Sequence, residues 1–456
     1  MEISAFDRIV SIDNFEYFGE VNKHEHCRFT CSVQPADVDS YLSKVDSECK
    51  FSDADFEFNG HITEIAVIPD ISGPVLEVIT EGATREYDRE CFYRVFQDQN
   101  KKFSDVLTML SSMKNVKNTV SNEGKIPDIL VQDGITDWQF SLYLANALGE
   151  FIFPGANTFI SNKGDDKGTL EENNLITYRY ANTVSGATLL CRIPKNFNLG
   201  DVVSFKGHKL FLYRKKYFLE HEKYYFEYLF KEVQDLKEKV TIKNNATLEA
   251  KVINNKDDSN FAKLQLSFEN DKYKDPMQDK PLWIEAECFY TTKDNGAIFI
   301  PAKDDKVLVH IYNGKAYVLG SLRTEAYNKK IVTNVDNQYL ILDENTYVKF
   351  NNEKPNKNTT IIIKKGKHRI ELGEEKFSFR NGNDIVIDIT PKSMCMQIVN
   401  TKMKFTDDTL IETKNMSIDI KNTTSVASSK LNMEGSSNVS MKGGSIDIEG
   451  TSVGIK

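Results

Sequence analysis

The sequence predicts a mainly β protein: two β-barrels separated by a small helical insert, then a smaller five-stranded barrel, then a C-terminal β-helix wound from three chains. Three observations predict it. Short alternations of apolar and polar residues, the period of a half-buried strand, recur through most of the 456 residues. The period turns helical only between about Lys101 and Glu150. From about Gln338 to Lys456, apolar pairs return roughly every 7–9 residues, a repeat of fixed pitch.

Residues 1–95 form the first predicted β-domain. Cys27, Phe29, Cys31 and Val33 share one strand face, and His26, Arg28, Thr30 and Ser32 share the other. His24, His26, Cys27 and Cys31 therefore cannot converge on one metal ion, and the thiols read as buried. A second strand runs from Phe56 to Phe58 through Gly60 to Ile62, Ile65 and Val67. In the insert, 96–150, a first helix starts near Ser104 and buries Phe103, Val106, Leu107 and Leu110. A second carries a Thr136/Gln139 capping box, an Ile135/Phe140 staple and Gly149 as its stop. The second barrel, 151–235, ends in an aromatic run, Tyr217 to Phe230, whose Glu220-His221-Glu222-Lys223 centre predicts a hairpin turn.

After a charged connector, residues 246–327 hold five short strands: Thr247 to Val252, Ala262 to Phe268, Trp283 to Tyr290, Val307 to Tyr312 and Ala316 to Leu319. That number fits a small closed barrel of the oligonucleotide/oligosaccharide-binding (OB) type. Arg323 to Lys330 is a bridge, and the needle occupies 331–456. Its pairs include Ile370 and Leu372, Phe377 and Phe379, Ile385, Ile387 and Ile389, Met394, Met396 and Ile398, then Met403 and Phe405, Met416, Ile418 and Ile420. They continue through Leu431 and Met433, Val439 and Met441, Ile446 and Ile448, Val453 and Ile455. Corners fall at Asn381-Gly382, Gly435-Ser436, Gly443-Gly444 and Gly450. One such chain leaves its apolar face in water. Two further copies complete an intertwined trimer with no free sheet edge.

Composition excludes several functions. Net charge is −9 and the lysines are dispersed, so no concentrated basic face exists for nucleic acid. No run reaches the roughly 18–20 apolar residues of a membrane helix. Met1-Glu2-Ile3-Ser4 lacks the basic head of a signal peptide, so the expectation is cytoplasmic assembly and delivery outward by another route. Seven scattered cysteines suit a reducing compartment. No cofactor is expected. Glu285, Glu287, Asp304 and Asp305 read as solvated strand and turn positions, His310 as an outward residue, and 164–169 as a surface loop.

Gly296, Phe299 and Pro301 are followed by Asp305-Lys306-Val307-Leu308-Val309, Tyr312-Asn313-Gly314 and Val318-Leu319-Gly320-Ser321-Leu322. This run resembles the small-barrel pattern "G-x-x-F-x-P … G-D-E-V-L-V-x-F-x-x-G … V-V-L-G-S-L" of the VgrG and contractile-tail hub-and-spike family. Upstream, Phe58-Asn59-Gly60 with Thr63-Glu64 resembles "F-x-G-x-x-T". Arg94-Val95-Phe96-Gln97, followed by Phe103 to Leu107, resembles "R-x-Y/F-Q-x-x-T-x-x-D-I-L". Val131-Gln132 through Phe140 and Leu144 to Phe151-Ile152-Phe153 resembles the second helix and the strand after it. Asp304 stands where the family usually has Gly, and the loop after Gly314 is short.

The resemblance implies a non-enzymatic homotrimeric spike. Its two related barrels per chain would match a hexameric, Hcp-like tube, with baseplate proteins around it. The needle would carry a PAAR-like tip protein on the blunt end at Val453, Ile455 and Lys456, with effectors as possible cargo. Contact with a target membrane would be transient. The alternative reading is a trimeric β-helical tailspike that binds or cleaves glycans. No lysozyme-sized insertion, terminal effector extension or terminal His-x-His tip is expected from this sequence.

Overall fold

The computed structural model describes residues 2–53, 55–98, 100–113, 117–120, 123–126, 129–155, 157–160, 164–232, 245–259, 261–277, 280–287, 290–291, 296–297, 299–312, 314–323, 332, 337–350, 361–373, 375–382, 385–391, 393–398, 414, 417, 423–428, 430–435, 439–447, 449–450 and 452. The chain is mainly β and divides into two compact units, 1–326 and 327–456.

In the first unit the two β-segments meet edge to edge. Strand Ile9–Glu20 pairs antiparallel with His208–Glu220, with Tyr17 opposite Tyr217. The result is one 12-stranded sheet, which runs from Glu2–Ile3 to Thr177–Thr183 along its main path. Alternation sets its core. Phe15, Cys27, Phe29, Phe51 and Leu76 come from the N-terminal segment, and Leu189, Phe205, Tyr228 and Phe230 from the later one, all in a single apolar cluster. The aromatic run closes as the expected hairpin, with Glu220 opposite Lys223. His221 and Glu222 take positive φ of 50° and 64°, the turn geometry that matches the strand twist.

The insert contributes helices Phe103–Met113 and Asp137–Leu148. Thr136 accepts from the Gln139 N–H, the Gln139 side chain answers to the Thr136 N–H, and Gly149 stops the helix at φ 72°. Phe96, Val106, Leu107, Leu110, Phe140 and Leu144 form its core.

Five strands, Ala246–Asn254, Leu264–Ser267, Trp283–Ala286, Lys315–Leu322 and Lys306–Tyr312, close a barrel in that spatial order. The expected strand from Trp283 to Tyr290 is shorter. Its barrel ladder ends at Ala286, with a last bond from the Glu287 N–H to the Val318 carbonyl at 2.8 Å. Tyr290–Thr291 pairs instead with Gly296–Ala297.

In the second unit, seven strands from Gln338–Asp343 to Ser393–Ile398 form one sheet in chain order, an antiparallel meander. The meander reverses at Gly366 and Gly382, whose φ of 58° and 59° favour glycine. Thus the regular pitch of the sequence corresponds, in this stretch, to hairpin reversals within one chain. Among the described residues from Lys414 to Ser452 none is assigned to a strand, and Val426, Leu431, Met433, Val439, Met441 and Ile446 are exposed. The expected pairs Met403/Phe405 and Ile418/Ile420, Met416, and the tip residues Val453, Ile455 and Lys456 lie outside the described residues.

Candidate functional site

The signature residues do structural work at places that the backbone geometry makes demanding. Phe58 is buried against Phe51 and Tyr17, each ring centroid 5.7 Å away. Gly60, two residues on, has no room for a side chain: a Cβ there would lie 2.4 Å from the Glu81 carbonyl oxygen. Gly314 takes φ 80°, and its carbonyl accepts from the Ile129 N–H at 3.0 Å. Asp305 Oδ2 accepts from the Ala302 N–H at 2.8 Å, and the Pro301 carbonyl accepts from Asn255 at 3.0 Å. Gly320 sits beside the bulge where Leu308 opposes Gly320 and Val309 opposes Val318. Gly296 ends the short hairpin, opposite Thr291, whereas Phe299 is exposed. These eight positions are spread over the fold and do not converge on one site.

Asp304 explains its own departure from the family pattern. Its φ is 75°, a conformation natural to glycine and tolerated by Asp. An ion pair with Lys251 at 2.7 Å holds its carboxyl below the usual carboxylate range. Of the other acidic residues read as solvated strand and turn positions, Glu285 pairs with Lys263 at 3.6 Å and Asp305 caps its own turn. His310 faces outward, 3.1 Å from the Thr247 hydroxyl. Cys27 and Cys31 are buried in the hub core, whereas His26 stacks on Phe18 from the other strand face. Among the described residues no group of three His, Cys, Asp or Glu is placed to hold a metal ion.

A polar network that the sequence does not announce joins the insert to the strand leading into it. Buried Arg94 pairs with Asp137 and donates to Gln132 Oε1 at 2.9 Å, and Gln132 donates to Asp137 at 3.0 Å. Asp137 opens the helix Asp137–Leu148, where a carboxylate also complements the helix dipole. The arginine of the recognised motif thus fixes the second helix. The same region carries the small barrel: the Val95 N–H donates to the Lys274 carbonyl at 3.0 Å, and Tyr273 donates to Asp133 at 2.6 Å. Val95, Ile129 and Val131 enter the barrel's own core.

A second buried pair lies inside the hub. Tyr17 donates to Glu25 Oε2 at 2.9 Å, and Lys215 donates to Asn196 at 2.8 Å. Burial pushes the Glu25 carboxyl up to about 7, against the opposing pull of Tyr17 and Lys215. Burial also holds the Lys215 ammonium down to about 8.

The most distinctive surface belongs to the seven-stranded sheet. Its register lines up Leu340, Val348, Ile363, Ile370, Phe379, Ile387 and Met396 in one row across every strand. A neighbouring row on the same face holds Phe350, Ile361, Leu372, Phe377 and Ile389. The opposite face carries Lys349, Lys364, Arg369, Glu371, Arg380 and Asp388 around the buried Ile362 and Ser378. There Asp388 accepts from Ser378 at 2.5 Å and pairs with Lys376 at 2.9 Å. The apolar face is open: Leu340, Ile363, Leu372, Phe377, Ile389 and Met396 are all exposed within one chain. In one chain this sheet therefore presents an extended apolar face to solvent.

A mainly β hub with a helical insert, a closed five-stranded barrel and a separate C-terminal sheet is the fold of the VgrG and contractile-tail hub-and-spike class. No family model matches the sequence, and no curated protein matches it. Among solved structures, the chain is similar to the E. coli c3393 protein, a type VI secretion component with structural similarity to the T4 bacteriophage tail proteins gp27 and gp5. The identity is 14%, over 71% of this chain and 99% of that one, with a TM-score of 0.51. It is also similar to a chain of the Francisella PdpA-VgrG complex in its half-lidded form, at 10% identity over 85% of this chain and 83% of that one, with a TM-score of 0.50. The lidless PdpA-VgrG complex gives 10% identity, 85% and 93% coverage and a TM-score of 0.51. At these identities the likeness is one of fold.

Proposed function

We propose that the chain is the homotrimeric spike of a contractile injection system. Three copies of the C-terminal sheet set their apolar faces together around one axis. The continuing segment extends this core as a β-helical needle. The observation that carries this reading is the unbroken apolar row from Leu340 to Met396, open in one chain and backed by a charged face suited to water. Burying each such side chain stabilises the assembly by about 1.5–3 kcal/mol, so a shared core is strongly favoured over three exposed ones. The likeness in fold to a type VI secretion component supports the placement.

In this reading the hub joins a hexameric, Hcp-like tube and the baseplate, and the small barrel is the OB-type unit between hub and needle. The role is mechanical and non-enzymatic. Stiffness comes from satisfying every backbone group within a closed prism. The end at Val453, Ile455 and Lys456 receives a PAAR-like tip. The solved complexes of VgrG with PdpA support a further protein, cap or effector, riding on the spike. Assembly takes place in the cytoplasm, and contraction then carries the needle outward through a target membrane.

Light scattering of the purified protein tests this. A mass three times that of the 52.0 kDa chain is expected. A chain truncated before Ile331 is expected to fall to monomers or weak oligomers, and an unchanged mass after truncation would overturn the shared core. Loss of turbidity from cell-wall suspensions on adding the intact protein would favour a glycan-cleaving enzyme instead.

A further inference from the structure

We propose that the small barrel carries a binding site for an acidic sugar, independent of the needle, in the cleft between strands Trp283–Ala286 and Lys315–Leu322. These two strands are parallel, and their ladder covers only Glu285 opposite Tyr317 and Ala286 opposite Val318. Before that point they flank a cleft of about 400 Å³ lined by Lys263, Trp283, Glu285, Lys315 and Tyr317. Strand alternation sends Leu264, Ile284 and Val318 into the barrel core and leaves these five side chains outside. The volume falls in the range of small-ligand sites.

The polar groups match one kind of ligand. Among the described residues the Lys315 ammonium, the Trp283 indole N–H and the Tyr317 hydroxyl have no hydrogen-bond or ion-pair partner. Three donors therefore border one cleft, beside the single carboxylate of Glu285, which Lys263 holds at 3.6 Å. A pyranose ring presents an apolar C–H face to an aromatic ring and hydroxyls at its rim. Its hydroxyls would donate to Glu285 and accept from Trp283 and Tyr317, while a sugar carboxylate would take Lys315. A nucleic-acid strand fits less well. It carries a phosphate at every nucleotide, whereas the cleft offers one unpaired ammonium, Lys315, because Lys263 is paired with Glu285. A cell-envelope or capsular polymer bearing uronic or sialic acid is the ligand class this cleft would take.

The test uses the intact protein and its two tryptophans, Trp138 and Trp283. Trp138 is buried against His24, so Trp283 is the responsive reporter. Titration with glucuronate, galacturonate and N-acetylneuraminate oligosaccharides should give a saturable fluorescence change with at least one of them. Neutral glucose oligomers and single-stranded oligothymidylate should give none. Trp283→Phe should abolish the signal while calorimetric heat remains. Lys315→Glu, on an exposed side chain, should weaken binding by about tenfold or more, the worth of one charge-assisted hydrogen bond. No saturable response to any acidic sugar, an affinity unchanged in Lys315→Glu, or a response to oligothymidylate would each overturn the proposal. Trimer formation is unaffected by any of these outcomes, so failure here is distinguishable from failure of the spike reading.

Discussion

The hub and the C-terminal sheet are built from the same alternation and end in opposite conditions. In the hub, alternate residues meet a second layer: Phe15, Phe29, Phe51, Phe205 and Phe230 are sealed from solvent within a single chain. In the C-terminal sheet, alternate residues are at least as apolar, yet among the described residues only Asn337, Ile362 and Ser378 are buried. One region completes its core alone, and the other presents half of one. An apolar face of this extent is the kind of surface that marks an interaction site, and in the proposed spike two further copies supply the missing layer.

Substitutions that distinguish the two regions have effects that can be ranked. The largest is expected on the open face. Phe379→Asp puts a charge in the middle of the apolar row, and the scattering mass should fall from three chains towards one. Arg380→Asp, its neighbour on the charged face, should leave the mass unchanged. Equal effects would erase the distinction between faces.

Next comes the hub's insert. Arg94→Met leaves Asp137 buried without its cation and should destabilise the first unit by about 3–5 kcal/mol in urea denaturation. The assembly mass at low denaturant should stay as in the parent protein. Gly60→Ala follows, at about 1–3 kcal/mol, because the new methyl meets the Glu81 carbonyl and Phe58.

A pH effect of similar size sits in the hub alone. Glu25 keeps its proton to about pH 7 when folded but releases it near 4.5 when unfolded. Between those values the folded state binds more protons, so this contribution is full below pH 4.5 and is lost as pH rises through 7. Calorimetric Tm should therefore decline from pH 5 to 7, and Glu25→Gln should flatten the decline. Lys215, held at about 8, acts with the opposite sign, adding stability as pH rises from there towards the ordinary lysine value. The smallest change is expected for Asp304→Gly. Relief of the positive φ and loss of an exposed ion pair should nearly cancel, leaving the thermal melt close to that of the parent protein.

Much of the fold was legible in local pattern. The capping box at Thr136, the turn at His221-Glu222, the presence of five barrel strands and the apolar pairs from Ile370 to Met396 are signals held in a few consecutive residues, and these match the structure, whereas the described pairs from Leu431 onward lie in no strand. What escaped depends on residues distant in the chain. The pairing of Ile9–Glu20 with His208–Glu220 joins two segments across the whole insert, and no local period announces it. In sequence Asp137 is a first-turn acid like many others, and its partner Arg94 lies 43 residues away. Trp283 and Tyr317 likewise share a cleft only because the barrel closes. The even pitch after Gln338 was visible, but pitch alone does not distinguish a winding strand from a reversing one. Gly366 and Gly382 decide that locally through their backbone conformation.

Electron cryomicroscopy of the intact protein tests the proposed trimeric core most directly. The account predicts a three-fold axis with Ile370, Phe379 and Ile387 of each copy turned towards it and Lys364, Arg369 and Arg380 turned to solvent. A single protomer with that apolar row uncovered, or a symmetric assembly with the charged face inside, would contradict it.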